Sequence, residues 1–183
     1  LVNRDVGDDA SIAAYLHPSK KDLGDAGLLQ DMDKAIALLQ KAIQQNTKIR
    51  IIGDYDIDGI QSTYILHQGL LRVGADADYA IPDRIEDGYG VNIRLMERCV
   101  MDGIGLVITC DNGIAAAEAI AYAKKEGLTV IVTDHHEVPY ELVDGKKKYH
   151  LPPADAVIDP KREDCAYPCK KLCGAVVAWK VIL

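Results

Sequence analysis

The sequence predicts an α/β fold: a parallel, five-stranded, Rossmann-like sheet with helices on both faces. Five short runs rich in β-branched and apolar residues predict strands, and four of them are almost continuously apolar, as in strands buried on both faces. Helical segments fill the gaps between strands, and this alternation implies right-handed crossovers and a parallel sheet. A length of 183 residues suits one such domain.

The elements follow from residue type and spacing. The predicted strands are residues 49–53, 77–81, 106–110, 129–133 and 154–159, and the helices between them are residues 60–73, 92–101 and 114–126. An earlier helix over residues 31–45 is amphipathic, and Asn46 is expected to end it. Residues 1–46 are therefore predicted to form a helical N-terminal extension, and residues 47–183 the α/β domain.

Two later segments differ from this pattern. Residues 140–153 contain Lys146, Lys147 and Lys148 and are expected to form an exposed loop, with solvated lysines rather than a binding site. Residues 172–183 predict an apolar helix without a polar tail. Because the chain also begins at Leu1 rather than at a methionine, we expect it to be a fragment of a longer protein.

Composition and charge exclude several classes of protein. With 21 Lys and Arg against 28 Asp and Glu, the formal net charge is −7, so a passive basic surface for nucleic acid is not expected. The apolar runs are far shorter than the roughly 20 residues that cross a membrane. The polar start lacks the features of a signal peptide, and we expect a cytoplasmic protein with no membrane contact.

The five cysteines predict reduced thiols. Cys165, Cys169 and Cys173 lie four residues apart, which raises the alternative of a metal cluster. The common zinc and iron–sulfur spacings contain C-x-x-C pairs, and this sequence has none. Plain thiols are therefore the favoured interpretation.

Polar residues follow four of the predicted strands directly. Because loops at the carboxyl ends of parallel strands converge on one crevice, we expect these side chains to lie together. They are Asp54, Asp56 and Asp58 after the first strand, Asp111 and Asn112 after the third, Asp134, His135 and His136 after the fourth, and Asp159 after the fifth.

This many carboxylates in a partly buried site require neutralising charge, which divalent cations supply. Carboxylates with one or two imidazoles favour Mn²⁺ or Mg²⁺ over zinc or iron. Two ions bridged by a carboxylate, roughly 3.5–4 Å apart, would suit phosphoryl displacement. We expect His135 to be a ligand and His136 to contact phosphate or donate a proton.

Other interpretations of the aspartates are weaker. An EF-hand loop beginning at Asp54 would need glutamate at its twelfth position, where Ile65 stands, and the segment follows a strand rather than a helix. A haloacid-dehalogenase-type phosphatase would have D-x-D-x-T here, whereas Asp58 and Gly59 follow Ile57. A single aspartate after a strand is often only a helix N-cap, but three such loops and a histidine pair are not explained in this way.

The ordered motifs are Asp54-Tyr55-Asp56-Ile57-Asp58-Gly59, Asp111-Asn112-Gly113 and Asp134-His135-His136. In this order they resemble the DHH phosphoesterase superfamily. Further stretches are similar to its RecJ-type single-stranded-DNA-specific exonucleases. These stretches are residues 82–84 with 88–90, residues 133–139, and residues 159–174.

The resemblance implies a ligand set of Asp56, Asp58, Asp111 and His135 for Mn²⁺ or Mg²⁺, with two ions expected. It also implies catalytic roles for His136 and for Asp54, which would lie in or next to the metal shell. Arg84 and Asn112 are the expected substrate contacts. Some residues depart from the family pattern: Asp159 stands where asparagine is more usual, and Val176 and Trp179 replace glycine and phenylalanine.

The resemblance further implies a 5′→3′ exonuclease for single-stranded DNA that acts in DNA repair and recombination, with repair or recombination helicases as possible partners. The alternatives are an oligoribonuclease or cyclic-dinucleotide phosphodiesterase of the same superfamily, and an inactive scaffold. The family's further metal-binding aspartate and its C-terminal DHHA1 domain have no counterpart in these residues. We therefore expect this chain, as a truncated DHH catalytic domain, to bind metal but to hydrolyse DNA weakly or not at all.

Overall fold

The computed structural model describes residues 3, 6–19, 23–83 and 90–183. The strands, in chain order, are β1 (Ile49–Ile52), β2 (Ala77–Ala80), β3 (Leu106–Cys110), β4 (Thr129–Thr133), β5 (Tyr140–Val143), β6 (Lys146–Tyr149) and β7 (Ala156–Ile158). The helices are α1 (Asp9–Leu16), α2 (Met32–Gln44), α3 (Ile57–Arg72), α4 (Ile93–Met101), α5 (Ala117–Lys125) and α6 (Gly174–Ile182), with a short 3₁₀ helix at Ala26–Leu28.

The main sheet confirms the predicted fold. Its strand order is β2-β1-β3-β4-β7, and every neighbouring pair is parallel. The chain runs from β1 to β2 at one edge and then crosses to β3 on the other side of β1. In open α/β sheets the crevice for a ligand opens outside the carboxyl ends of the strands at such a reversal.

Both faces of the sheet are covered by helices, as predicted. Ile51 and Ile108 belong to the core that α2, α3 and α6 cover, while Ile52 and Val107 belong to the core under α4 and α5. All four side chains are fully buried. Successive strand residues point to opposite faces, which explains why apolar residues predominate in β1 and β3 without alternating with polar ones.

Two helices begin at residues other than those predicted, and the reasons lie in the polar loops. α3 begins at Ile57 rather than residue 60 because Asp56 Oδ1 accepts the Gly59 N–H and caps the helix. α5 begins at Ala117 rather than residue 114 because the Ile114 N–H donates to Asp134 Oδ2. The remaining predicted helix and main-sheet strand bounds agree with the structure to within one or two residues.

The helix α2 shares a core with the sheet. Its Leu39 is buried against that core, and its first turn is tied to β7 through Asp31. Asp31 Oδ2 accepts the Val157 N–H at 3.1 Å and an Arg162 guanidinium N–H at 2.7 Å. Asn46 follows the helix with a φ of 50°, the left-handed conformation that ends helices. The domain boundary after residue 46 stays a prediction.

The prediction of a loop over residues 140–153 is wrong for its first ten residues, which form an antiparallel hairpin of β5 and β6. Asp144 and Gly145 join the strands with φ values of 51° and 75°. An Asp-Gly pair with two positive φ angles is the preferred two-residue hairpin turn. The hairpin is exposed along its whole length, as expected for this segment.

The C-terminal residues and the thiols agree with expectation. The predicted apolar helix is present as α6, and all five cysteines are free. Cys165 is buried, while Cys169 and Cys173 are exposed. Among the residues that the structure describes, no helix has both the length and the apolar character needed to cross a membrane.

The contact between α3 and α6 depends on Gly69. A Cβ atom at Gly69 would lie 2.3 Å from Cγ2 of Ile182, so the two helices approach as closely as they do only without a side chain there. Alanine in place of glycine inside a helix normally stabilises by roughly 0.5–1 kcal/mol. Here we expect Gly69→Ala to lower the free energy of unfolding by about 1–3 kcal/mol, because the extra methyl overpacks the interface.

Urea unfolding monitored by circular dichroism measures this change. Gly27→Ala is the control, because a Cβ there meets its nearest neighbour, Asp25 Oδ1, at an ordinary 3.5 Å. We expect the control to change the free energy of unfolding by no more than about 0.5 kcal/mol. A Gly69→Ala protein as stable as the wild type would contradict the close packing of α3 on α6.

Candidate metal centre

Three loops meet outside the carboxyl ends of β1, β3 and β4. The ligand atoms of Asp54, Asp56 and Asp111 all lie within 4.8 Å of one another. Those of Asp111, His135 and His136 do the same. The structure therefore brings together five of the predicted site residues, and Asp111 belongs to both groups.

Asp111 is the most constrained of these residues. Its side chain is buried, and its Oδ1 atom lies 2.9 Å from His135 Nε2. The contact lacks hydrogen-bond geometry, so Oδ1 has no hydrogen-bond donor among the described residues. Burial raises the pKa of Asp111, and the Asp58 and Asp56 carboxylates raise it further against the effect of His135. A buried carboxylate oxygen without a donor, surrounded by other carboxylates, fits a cation.

Asp58 is held by the N-terminus of α6. Its two carboxylate oxygens accept the backbone N–H groups of Gly174 and Ala175 at 2.6 and 2.8 Å. Its Oδ2 atom also lies 3.6 Å from His135 Nε2, so this predicted ligand borders the site but is in neither of the two groups. A Cβ atom at Gly174 would lie 2.4 Å from Asp111 Oδ1, which shows how tightly α6 closes this side.

The buried Asp134 and the half-exposed His136 form a pair beside the site. Asp134 Oδ1 lies 2.7 Å from His136 Nδ1 and accepts the backbone N–H groups of His135 and His136, while Oδ2 accepts the Ile114 N–H. Burial alone would raise the pKa of Asp134, but these hydrogen bonds outweigh it and hold the pKa below its ordinary value. The same carboxylate raises the pKa of His136 to about 9.

The two histidines are therefore suited to different tasks. A protonated imidazole binds no metal, so the pairing of His136 with Asp134 favours a contact with phosphate. The neighbouring Asp111 carboxylate raises the pKa of His135 as well, but its Nε2 atom faces the two carboxylates of Asp111 and Asp58. His135 is the histidine placed to share a cation with them.

The sequence pattern placed Asp134 in the crevice but did not reveal its partner, and it assigned Gly174 no contact with the site. The position of Asp134 directly after a buried strand was the available signal, because a buried carboxylate requires donors. Gly174 lies in a stretch already similar to the RecJ-type pattern. Its contact with Asp111, however, depends on how α6 packs.

Asn112 and Arg84 were the predicted substrate contacts. Asn112 is buried and its Nδ2 donates to the Gly53 carbonyl at 2.7 Å, which ties the loop after β3 to the end of β1. Its Oδ1 atom has no donor among the described residues. Asn112 and His136 both line a cavity of about 240 Å³. Arg84 lies outside the described residues.

Asp159 was expected in the same crevice and lies at its margin. β7 is the outermost strand, so Asp159 is next to Asp134 and one strand further from Asp111. It belongs to neither group of ligand atoms. Its Oδ1 accepts the Lys161 N–H at 2.7 Å, and its Oδ2 has no donor among the described residues. Burial raises the pKa of Asp159 to about 7.

The donor set defines the kind of ion. Carboxylates with one imidazole are the ligands that Mn²⁺ and Mg²⁺ accept, as the sequence predicted. Neither group found among the described residues includes a cysteine. The three cysteines spaced by four residues are therefore not part of this site.

Comparison with known proteins agrees with the fold and with this donor set. The model of the DHH family, N-terminal domain, matches residues 48–183, from the start of β1 to the end of α6. The chain therefore belongs to the DHH family, as the motifs predicted.

Within that family the chain is similar to the single-stranded-DNA-specific exonuclease RecJ. It is 39% identical over 181 residues to RecJ of Bacillus subtilis (strain 168), which covers 99% of this chain and 22% of that protein. It is 36% identical over 176 residues to RecJ of Haemophilus influenzae, covering 96% of this chain and 28% of that protein. The chain thus spans about a quarter of the length of these relatives.

A solved structure gives the same result. The crystal structure of exonuclease RecJ bound to manganese superposes with a TM-score of 0.71 and 34% sequence identity. The match covers 84% of this chain and 37% of that one.

The raised pKa of Asp159 predicts how its replacement changes stability with pH. In the folded chain the group loses its proton near pH 7, whereas in the unfolded chain it does so near 3.8. Between these values the folded state binds more protons, so this group makes stability fall as pH rises and has no further effect above about pH 7. Asp159→Asn keeps an acceptor for the Lys161 N–H and removes the ionisation.

We therefore expect Asp159→Asn to be more stable than the wild type at pH 8, by on the order of a few kcal/mol. The difference should shrink steadily towards pH 4. Urea unfolding of both proteins in the presence of a chelator, at a series of pH values, measures it. A stability difference that is constant from pH 4 to pH 8 would contradict the buried, proton-binding state of Asp159.

Proposed function

We propose that this chain provides the metal-binding domain of a phosphodiesterase that removes nucleotides from the 5′ end of single-stranded DNA in repair and recombination. The observation that carries the proposal is the sharing of the buried Asp111 by two groups of ligand atoms. The RecJ relatives are single-stranded-DNA-specific exonucleases, and a solved RecJ holds manganese. Their similarity supports single-stranded DNA as the substrate, and the 5′→3′ direction is part of the proposal.

The two groups suggest two ion positions. Asp54, Asp56 and Asp111 would hold one Mn²⁺ or Mg²⁺ ion, and Asp111 with His135 would hold the other, with Asp58 alongside. When bound, such ions lower the pKa of water and offset the negative charge on phosphate oxygens. The chain's part is to hold five donor side chains on loops that a rigid sheet fixes in place.

Asp54 has a second task in holding this arrangement. It is 1% exposed, and its Oδ1 atom accepts the Tyr55 N–H at 2.7 Å, which shapes the loop that presents Asp56. We propose that Asp54 acts at the reacting centre from this fixed position. Because the carboxylate is buried, few water molecules can compete with it for the ion.

His136 acts on the phosphate in this proposal. Its Nδ1 atom is held by Asp134, which leaves Nε2 as the ring nitrogen available to a substrate. Because the pKa of His136 is raised to about 9, the ring carries a positive charge at neutral pH. It can therefore pair with a phosphate oxygen and donate its Nε2 proton to the leaving oxygen.

Single-stranded DNA is the proposed partner, and repair or recombination helicases are the proposed protein partners. We propose a cytoplasmic location, which the five free cysteines support, because thiols stay reduced there.

Replacing Asp111 tests the metal centre. We expect the wild-type chain to bind Mn²⁺ saturably in calorimetry at neutral pH. We expect Asp111→Asn to lower the Mn²⁺ affinity by on the order of 100-fold or more, because both ion positions lose a charged ligand. Asp33→Asn, at an exposed aspartate of α2, is the matched control and should leave the affinity unchanged.

Because the substitution is isosteric, we expect Asp111→Asn to fold, and thermal unfolding checks this. Equal Mn²⁺ affinity in Asp111→Asn and the wild type would refute the shared ligand. Failure of the folded wild-type chain to bind Mn²⁺ would remove the basis of the proposed function.

Replacing His136 tests its role in hydrolysis. With protein in excess over an oligothymidylate labelled at its 3′ end, we expect slow, Mn²⁺-dependent shortening from the 5′ end. His136→Ala should slow this by roughly 10²–10⁴-fold, because proton donation and a phosphate contact are lost, while Mn²⁺ affinity changes little. His17→Ala, at the exposed end of α1, is the control.

Hydrolysis that is equally fast in His136→Ala and the wild type would contradict this role. Shortening from the 3′ end, or cleavage of dinucleotides alone, would favour another activity of the DHH family. The Mn²⁺ dependence and the point of attack are read from the same gel.

A further inference from the structure

The β5–β6 hairpin has one face that carries two tyrosines and a lysine. Tyr140 is paired with Tyr149, and Leu142 with Lys147, so these four side chains share a face. The two tyrosine rings meet edge to face with centroids 5.8 Å apart, and Lys147 Nζ lies 4.2 Å from the centre of the Tyr140 ring. Tyr140 is 48% exposed and Leu142 69%.

The other face of the hairpin differs in its charges. Glu141 accepts Lys148 Nζ at 2.9 Å and lies 3.2 Å from His150 Nε2, so the charge of Lys148 is offset there, while Lys146 stands opposite Val143. Lys147, on the tyrosine face, has no carboxylate partner among the described residues. The tyrosine face therefore combines aromatic rings with an uncompensated positive charge.

The hairpin stands next to the candidate metal centre. The His150 N–H donates to the Pro139 carbonyl at 2.8 Å, which closes the base of the hairpin onto the loop that carries the histidine pair. Pro139 is three residues beyond His136, so their Cα atoms are at most about 11 Å apart. The base of the hairpin is therefore within the length of a few nucleotides of His136.

We propose that the tyrosine face of the hairpin, formed by Tyr140, Leu142, Lys147 and Tyr149, binds single-stranded DNA beside the metal centre. The inference rests on the proposed function and extends it to a contact surface. Exposed aromatic rings stack on unpaired bases, and nearby lysines pair with the phosphates between them. In a chain of net charge −7, the three consecutive lysines of β6 supply local positive charge that a polyanion requires, a role that revises the sequence-based expectation of solvated lysines alone.

Single strands fit this surface better than duplexes do. Stacking on a tyrosine ring needs bases that are not already stacked in a duplex. The Tyr140 and Tyr149 rings, with centroids 5.8 Å apart, form one small aromatic surface for such bases. Stacking on tyrosine rings and ion pairs with phosphates do not depend on the identity of the base, so we expect binding that is independent of sequence. The hairpin would therefore hold the strand without selecting it.

Fluorescence anisotropy with a labelled oligothymidylate of about 20 nucleotides measures this binding in a chelator, where no hydrolysis occurs. We expect Tyr140→Ala with Tyr149→Ala to weaken binding about tenfold or more, through lost stacking. We expect Lys147→Ala to reduce the slope of log affinity against log salt concentration by about one. The control is Tyr15→Ala with Lys125→Ala, which removes the same residue types from α1 and from the opposite end of the sheet.

The outcomes separate this inference from the proposed function. Unchanged affinity in the double tyrosine variant, or no oligothymidylate binding by the wild-type chain, overturns the hairpin surface. So does a loss of affinity for duplex DNA as large as that for the single strand. The hairpin variants should retain wild-type Mn²⁺ affinity in calorimetry, whereas failure of the proposed function appears as absent Mn²⁺ binding.

Discussion

Buried carboxylates collected at one edge of a parallel sheet are the constraint on which the rest of this structure depends. Asp54, Asp111 and Asp134 are each 2% exposed or less, and they follow three neighbouring strands. Adjacent strands are only about 4.8 Å apart, so the loops that follow them hold the three carboxylates close together. Ionised carboxylates at such separations raise one another's pKa unless each charge is offset. The surrounding helices and histidines are arranged to provide that offset.

The negative charges of the carboxylates are offset by different partners, and each carboxylate therefore has a different task. Asp134 is fully satisfied by His136 and by backbone N–H groups, so it orients and charges a histidine. Asp58 is satisfied on one side by the first N–H groups of α6. Asp111, which belongs to both groups of ligand atoms, keeps a buried oxygen without a hydrogen-bond donor among the described residues. The position that the protein leaves unsatisfied is the one that a cation completes.

How far the sequence predicts this arrangement depends on whether a feature is local. The strands β3 and β4 were predicted residue by residue, because each apolar run ends at a buried aspartate. The start of α5 was not, because the Ile114 N–H bonds to Asp134, a residue 20 positions away. The hairpin was missed because Lys146 to Lys148 suggest only solvation, although Asp144-Gly145 was a usable turn signal.

The same distinction between local and non-local features applies to the site. The convergence of Asp54, Asp56, Asp111 and the histidine pair follows from strand ends in a parallel sheet, and the structure confirms that they meet. The contact of Gly174 with Asp111 depends on how α6 packs against α3, which no local pattern shows. Asp159 was expected nearer to the centre than it lies, because the sequence alone does not say that its strand is outermost.

Anomalous X-ray diffraction from crystals of this chain grown with Mn²⁺ would locate the bound ions. We expect two anomalous peaks roughly 3.5–4 Å apart, both within bonding distance of the Asp111 carboxylate. His135 should contact one peak, and Asp54 or Asp56 the other. Peaks that avoid Asp111, or no peak in the crevice at saturating Mn²⁺, would contradict the claim that the unsatisfied carboxylate is the shared ligand of two ions.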